Sequence, residues 1–197
     1  MYKVGVTGGI GSGKSTLCGM FKELGIPVYN SDSQAKLLMA SDAELREKIC
    51  QAFGEGSYAA GALNRQYLAQ QVFGDANKLA LLNSIVHPRV KEDFLLWCEQ
   101  QNAPYAILEC AILFEANFND IVDKTICVLS PENMRIERVT SRDSLTKEEV
   151  KQRMANQYSD DQLDQLSDIC VVNFDIADLE DAAKVFDKKI RYEAAKG

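Results

Sequence analysis

Short apolar runs bounded by loop residues punctuate the chain: Val4 to Thr7, Ile26 to Tyr29, Tyr105 to Leu108, Lys124 to Leu129 and Ile169 to Val172. Short, mostly continuous apolar runs of this kind read as strands buried on both faces. Helical periodicity fills the intervals. Leu17, Met20, Phe21 and Leu24 recur at helical spacing, with the helix read as Ser15 to Leu24. Leu179, Ala182, Ala183, Phe186 and Ile190 form an amphipathic stripe near the C-terminus. Strands alternating with helices predict an α/β fold, with a parallel sheet covered by helices on both faces.

Two stretches interrupt this alternation. The first, 32–103, is far longer than the dozen or so residues a parallel crossover requires. It holds helical patterns over Leu45 to Phe53, Tyr67 to Phe73, Leu79 to Val86 and Val90 to Gln101, so it is an inserted helical region. The second, 131–157, is charged and helical, and it carries Arg135, Arg138, Arg142 and Arg153. The remaining segments, 1–31, 104–130 and 158–197, form the core that these interruptions leave.

The first strand runs directly into Gly8-Gly9-Ile10-Gly11-Ser12-Gly13-Lys14-Ser15-Thr16. This fits G-x-x-x-x-G-K-[ST], and a strand before it and a helix after it are the context the motif requires. Glycines let backbone N–H groups turn inward around a phosphate. The helix adds its unpaired N–H groups and positive dipole end. Gly11, Ser12 and Gly13 are expected to cradle phosphate. Lys14 is expected on the β- and γ-phosphates, the Ser15 hydroxyl on Mg²⁺, and Thr16 on the α-phosphate side.

Other candidate groups follow strands. Asp32 comes just after the second strand, where ligands bind in open α/β sheets. A carboxylate there can take a proton from an attacking hydroxyl, or it can cap a helix over Ser33 to Leu38. Glu109 ends the third strand and reads as a Mg²⁺-side acid or as a cap. Glu115 is a weaker candidate beside a solvated-surface alternative. Arg135, Arg138 and Arg142 lie at helical spacings, so at least two can share a face and stabilise a phosphoryl group in transfer, or they can pair with Glu137 and other acids. His87, before Pro88, can meet a substrate or cap a helix that begins at the proline.

Composition narrows the classes. An apolar fraction of 46% and a charged fraction of 26% are those of a globular protein, one domain or one domain with insertions. The net charge of −7 disfavours nucleic acid or a membrane surface as the main partner. No run approaches a membrane span, and the chain opens on a strand and the glycine loop, so no signal peptide is expected. The six cysteines are scattered singly, which fits free thiols in a reducing cytoplasm. No [NT]-K-x-D guanine motif occurs, which argues against a GTPase switch. Another small-molecule kinase of the shikimate or nucleoside monophosphate type is the nearer alternative.

Taken in order, the motifs resemble the dephospho-coenzyme A kinase family. The resemblance begins with Thr7 to Thr16 and continues through Leu24-Gly25 and the strand leading to Asp32. Phe53-Gly54, Gly61-x-Leu63-x-Arg65-x-x-Leu68-x-x-x-Val72-Phe73 and Ile85-x-His87-Pro88 follow. Leu113-Phe114-Glu115, Arg138-x-x-x-Arg142-Asp143, Gln157, Asp168 and Asn173 complete it. The chain departs from the family at Asn30-Ser31-Asp32, where Asp-Ala-Asp is more usual, and at Glu109, where Asp is. Arg135 stands where Gln is common. The resemblance implies a three-layer P-loop kinase fold: a nucleotide core, an acceptor-binding region over 32–103 and a lid over 131–157. It implies ATP with Mg²⁺, transfer to the ribose 3′-hydroxyl of dephospho-coenzyme A, and release of coenzyme A and ADP. It also implies Asp32, Lys14 and Arg142 as catalytic residues, and Arg138, Arg142 and Asn173 on ATP. Arg65, His87, Glu115 and Asp32 would then hold the acceptor, with Ser15 and Glu109 on the Mg²⁺ side.

Overall fold

The computed structural model describes residues 1–143 and 145–196. In chain order its elements are β1 (Tyr2–Thr7), α1 (Lys14–Glu23), β2 (Val28–Asn30), α2 (Ser31–Ser41) and α3 (Ala43–Phe53). A hairpin of β3 (Tyr58–Ala59) and β4 (Ala62–Leu63) precedes α4 (Arg65–Val72) and α5 (Ala76–Glu99). Then come β5 (Tyr105–Glu109), β6 (Lys124–Leu129), α6 (Glu132–Asp143), α7 (Lys147–Met154), α8 (Asp160–Leu166), β7 (Ile169–Val172) and α9 (Ile176–Ala194). The chain divides into two units, Met1–Asn30 with Trp97–Gly197, and Ser31–Leu96.

The first unit is built on a parallel sheet in the order β2-β5-β1-β6-β7. Alternation along β1 shows why it lies at the centre. Val4 and Val6 point into a core with Leu17 and Phe21 of α1 and Leu179, Ala183 and Ile190 of α9. Gly5 points the other way, where an added Cβ would lie 2.9 Å from a Leu113 methyl group. Each fully buried aliphatic side chain contributes about 1.5–3 kcal/mol. The register sets Asn30 and Val6 opposite Glu109, and Thr7 opposite Cys127. The carboxyl ends of β2, β5 and β1 thus meet at one level, and β6 runs two residues further, to Leu129. A smaller apolar cluster joins Ile136 and Val139 of α6 to Val150 of α7, with Ile10 of the glycine loop against it.

The second strand begins two residues later than the apolar pattern suggests. The Ile26 N–H donates to Phe21 O at the end of α1, 3.0 Å away, so Ile26 belongs to the turn. All six cysteines are free thiols.

The second unit is helical apart from its hairpin, whose strands are two residues each and leave no periodic signal. Asp42 caps α3 by accepting from the Leu45 N–H at 2.8 Å, and the Arg89 Nε donates to the same carboxylate at 2.7 Å. The Tyr58 and Tyr67 hydroxyls donate to the Met39 and Phe53 carbonyls at 2.7 and 2.8 Å. The two helices expected around Pro88 are one, α5, with the proline inside it. A proline there removes a helix hydrogen bond and crowds the preceding turn. Val86, Val90, Phe94 and Cys98, four apart, are all buried. That continuous apolar stripe outweighs the local cost.

The orientation of α9 is testable. Ile190→Ala should destabilise the protein by about 2–5 kcal/mol through the cavity it leaves. Val185→Ala, on the exposed side of the same helix, should change stability by less than about 0.5 kcal/mol. Urea unfolding of both variants measures this, and equal effects would contradict the packing described.

Candidate active site

The loop from Gly8 to Gly13 leaves the end of β1 and enters α1 at Lys14. Gly13 stands at the N-cap with φ 102°. Residues with a Cβ adopt this left-handed conformation only at a cost, and a Cβ there would also collide with Asn173 Nδ2. The first N–H groups of a helix lack partners within it, so α1 presents donors and its positive dipole end at the loop. Two side chains from that first turn meet one carboxylate. The Ser15 Oγ donates to Glu109 Oε1 at 2.5 Å, and Lys14 Nζ lies 4.0 Å from the same oxygen. Both charged side chains are largely enclosed, 14% exposed for Lys14 and 8% for Glu109. Glu109 is the last residue of β5, not the cap of a helix.

Neighbouring residues hold the loop. The Asn173 Nδ2 donates to Ser12 O at 2.6 Å, and its own N–H donates to Leu129 O at 2.8 Å. The Arg138 guanidinium donates to Ser130 Oγ at 3.0 Å and to Phe174 O at 3.1 Å. Arg135 is 5% exposed. Its Nε donates to Ile10 O at 3.1 Å, and its Nη1 pairs with Asp160 at 2.6 Å. The Ile10 N–H donates to Gln157 Oε1 at 2.9 Å. Beside these groups opens a cleft lined by Gly13, Thr16, Arg138, Asn173, Ile176 and Leu179.

The glycine loop, the lysine and hydroxyl that follow it, and an acid at the end of a neighbouring strand are the groups a phosphate site requires. Comparison with known proteins gives it a family. The model of the family described as Dephospho-CoA kinase matches residues 2–178. This chain belongs to the dephospho-CoA kinase family. A dephospho-CoA kinase of Salinibacter ruber is 42% identical over 88% of this chain and 89% of its own. One from Bacteroides fragilis is 37% identical over 87% of this chain and 84% of its own. A solved Thermus thermophilus structure superposes with a TM-score of 0.84 at 31% identity, covering 95% of this chain and 97% of that one. The shikimate kinase of Acinetobacter baumannii, at 13% identity and TM-score 0.56 over 98% of this chain and 94% of its own, shares the fold. The fold is that of the P-loop kinases.

The other residues expected from the family motifs stand as follows. Arg142 makes a two-pronged ion pair with Asp143, with both contacts at 2.7 Å, and its side chain is 66% exposed. The guanidinium holds the Asp143 carboxyl below its ordinary range. Arg135, grouped with the phosphate arginines by spacing, is committed to Ile10 and Asp160. Glu115 accepts from the Tyr158 N–H at 2.8 Å, so it supports the 157–160 turn. Asp32, Arg65 and His87 belong to the second unit. Helix α2 already begins at Ser31, so Asp32 lies in its first turn and does not cap it. His87 lies within α5, so it is not the cap of a helix beginning at Pro88. Arg65 is the first residue of α4, with Asn64 as its cap. Sequence reading gave no part to Ser130 or Asp160, and no motif marks either.

His87 supplies a test by pH. Burial lowers its pKa first; the Lys91 charge adds to this, and Asp32 opposes it. The folded chain therefore favours neutral imidazole. Its contribution to stability is present above the ordinary value of about 6.5 and is lost as pH falls through the lower folded value. Between pH 7.5 and pH 5 the melting temperature of the native protein should fall further than that of His87→Gln. Parallel curves would overturn this.

Proposed function

We propose that this chain transfers the γ-phosphoryl group of ATP to the ribose 3′-hydroxyl of dephospho-CoA, with nucleotide in the Gly8–Thr16 loop and acceptor held by the second unit. As a dephospho-CoA kinase it makes CoA, in the last step of CoA biosynthesis. The observation that carries the site reading is the meeting of Lys14, Ser15 and Glu109 beneath the N-terminus of α1. A mobile ammonium, a hydroxyl and a carboxylate there match what a bound triphosphate and its ion need.

Mg²⁺ suits the donors. Ser15 Oγ and Glu109 are hard oxygen ligands, and one or two protein oxygens suffice for an octahedral ion that keeps water and phosphate oxygens. When bound, the ion would neutralise charge on the phosphates. Lys14 places a second charge there, and α1 adds its dipole. Asp32 orients or deprotonates the acceptor hydroxyl. Its support is its position two residues beyond Asn30, which is level with Glu109 in the sheet. Arg138 and Asn173 flank the nucleotide cleft. Segment 131–157 serves as a lid, with Arg142 exchanging Asp143 for phosphate on closure. Arg65, His87 and Glu115 complete acceptor recognition. Among the described residues no helix is long and apolar enough to cross a membrane. With a net charge of −7, two small-molecule substrates in the cytoplasm are the partners we assign, with no nucleic acid.

Mass-spectrometric detection of CoA from dephospho-CoA and ATP tests the reaction, with AMP and shikimate as control acceptors. ATP consumption that follows AMP or shikimate, with none for dephospho-CoA, would overturn it. Lys14→Ala should lower turnover by about 10²-fold or more with the fold intact, and near-normal turnover would remove Lys14 from the chemistry. Asp32→Asn should lower turnover by about 10²-fold with ATP binding retained and stability reduced by no more than the roughly 0.3–1 kcal/mol of a first-turn charge on the helix dipole. Full activity of that variant would leave Asp32 with a helix-dipole role alone.

A further inference from the structure

We propose that Gln157 is a positioning residue for phosphoryl transfer, spanning the glycine loop and the loop after β5 with the two ends of one amide. Its Oε1 accepts from the Ile10 N–H at 2.9 Å, and its Nε2 donates to Ala111 O at 3.4 Å. The two partners determine the orientation of the amide, since a flip would set donor against donor and acceptor against acceptor. Each loop carries half of the phosphate-side group. Lys14 and Ser15 follow the first, and Glu109 ends the strand before the second.

The Ile10 peptide groups are held from both sides, the N–H by Gln157 and the C=O by the Arg135 Nε. The Ser12 N–H is also engaged, on Gly9 O at 3.1 Å. The first turn of the loop is therefore tied down by residues outside it. Gln157 itself sits in the turn between α7 and α8, which is held by Glu115 on the Tyr158 N–H and by Asp160 on Arg135. The Gln157 side chain thus joins the two loops directly, beside the Arg135–Asp160 and Glu115–Tyr158 contacts, and helps set the spacing between Ser15 and Glu109. Phosphoryl transfer asks mainly for alignment, and a displacement of about 1 Å can cost about 10²-fold in rate. No contact of Gln157 with reacting atoms is required.

Substitutions separate the two ends. This test rests on the kinase reading above. CoA formation by the native protein checks that reading independently, and ATP binding reports on the glycine loop whichever acceptor is used. Gln157→Glu keeps an acceptor for the Ile10 N–H but turns a second oxygen toward Ala111 O. Gln157→Leu removes both bonds. ATP affinity by calorimetry, kcat for CoA formation and melting temperature are measured on the purified full chain. Gln157→Glu should hold ATP within about threefold of the native affinity while kcat falls about tenfold or more. Gln157→Leu should lose both. A kcat within about threefold of native in the Glu variant overturns the proposal, as does a fall in kcat matched by an equal fall in ATP binding. If the Leu variant does not fold, the Glu variant decides alone.

Discussion

A glycine-rich loop cannot hold itself. It wraps a phosphate closely because it lacks side chains, and for the same reason its conformation has to be imposed from outside. Much of the first unit is arranged around that constraint. Asn173 holds the Ser12 carbonyl, Arg135 and Gln157 hold the two sides of the Ile10 peptide, and the Ile10 side chain is packed on α6 and α7. Arg135, Gln157 and Asn173 lie 125, 147 and 161 residues along the chain from the loop groups they hold. The loop therefore takes its shape from tertiary contacts, not from its own sequence.

Charge is balanced in the same economical way. One carboxylate, Glu109, meets the Ser15 hydroxyl and the Lys14 ammonium in a largely enclosed space. Burying an ammonium without a partner would be costly, and a neighbouring carboxylate offsets part of that cost. In the function proposed, a bound nucleotide would bring its own negative charge to the same place. Glu109 faces the lysine and, in that reading, would supply an oxygen on the side of the ion. Its extra methylene relative to aspartate is accommodated, since it still reaches the Ser15 hydroxyl.

The arginines show how far spacing alone can be trusted. Arg135, Arg138 and Arg142 look alike as a helical series, yet their surroundings divide them. The first is buried and committed to a carbonyl and an acid. The second lines the cleft beside Gly13 and Asn173. The third stands in solvent on Asp143. Helical phase separates them by face, and only the packing of α6 decides which face meets the loop.

The α/β class, the phosphate loop and the positions of all five sheet strands were legible in the chain. Buried parallel strands are continuous apolar runs, and the glycine-lysine-serine spacing is dictated by the anion it wraps. The ordered motifs also identified the family. What tertiary structure decided lay where local signals compete or are absent. Pro88 reads as a helix start, but a stripe of buried residues four apart carries α5 through it. Of the two readings open for Asp32, the cap is removed because α2 begins at Ser31. The β3–β4 hairpin is too short to leave a pattern. Asp160 and Ser130 bear no motif, and Gln157, though it falls in one, shows its partners only in the structure. A hydrogen bond between such residues has no periodicity, so only the folded chain reveals it.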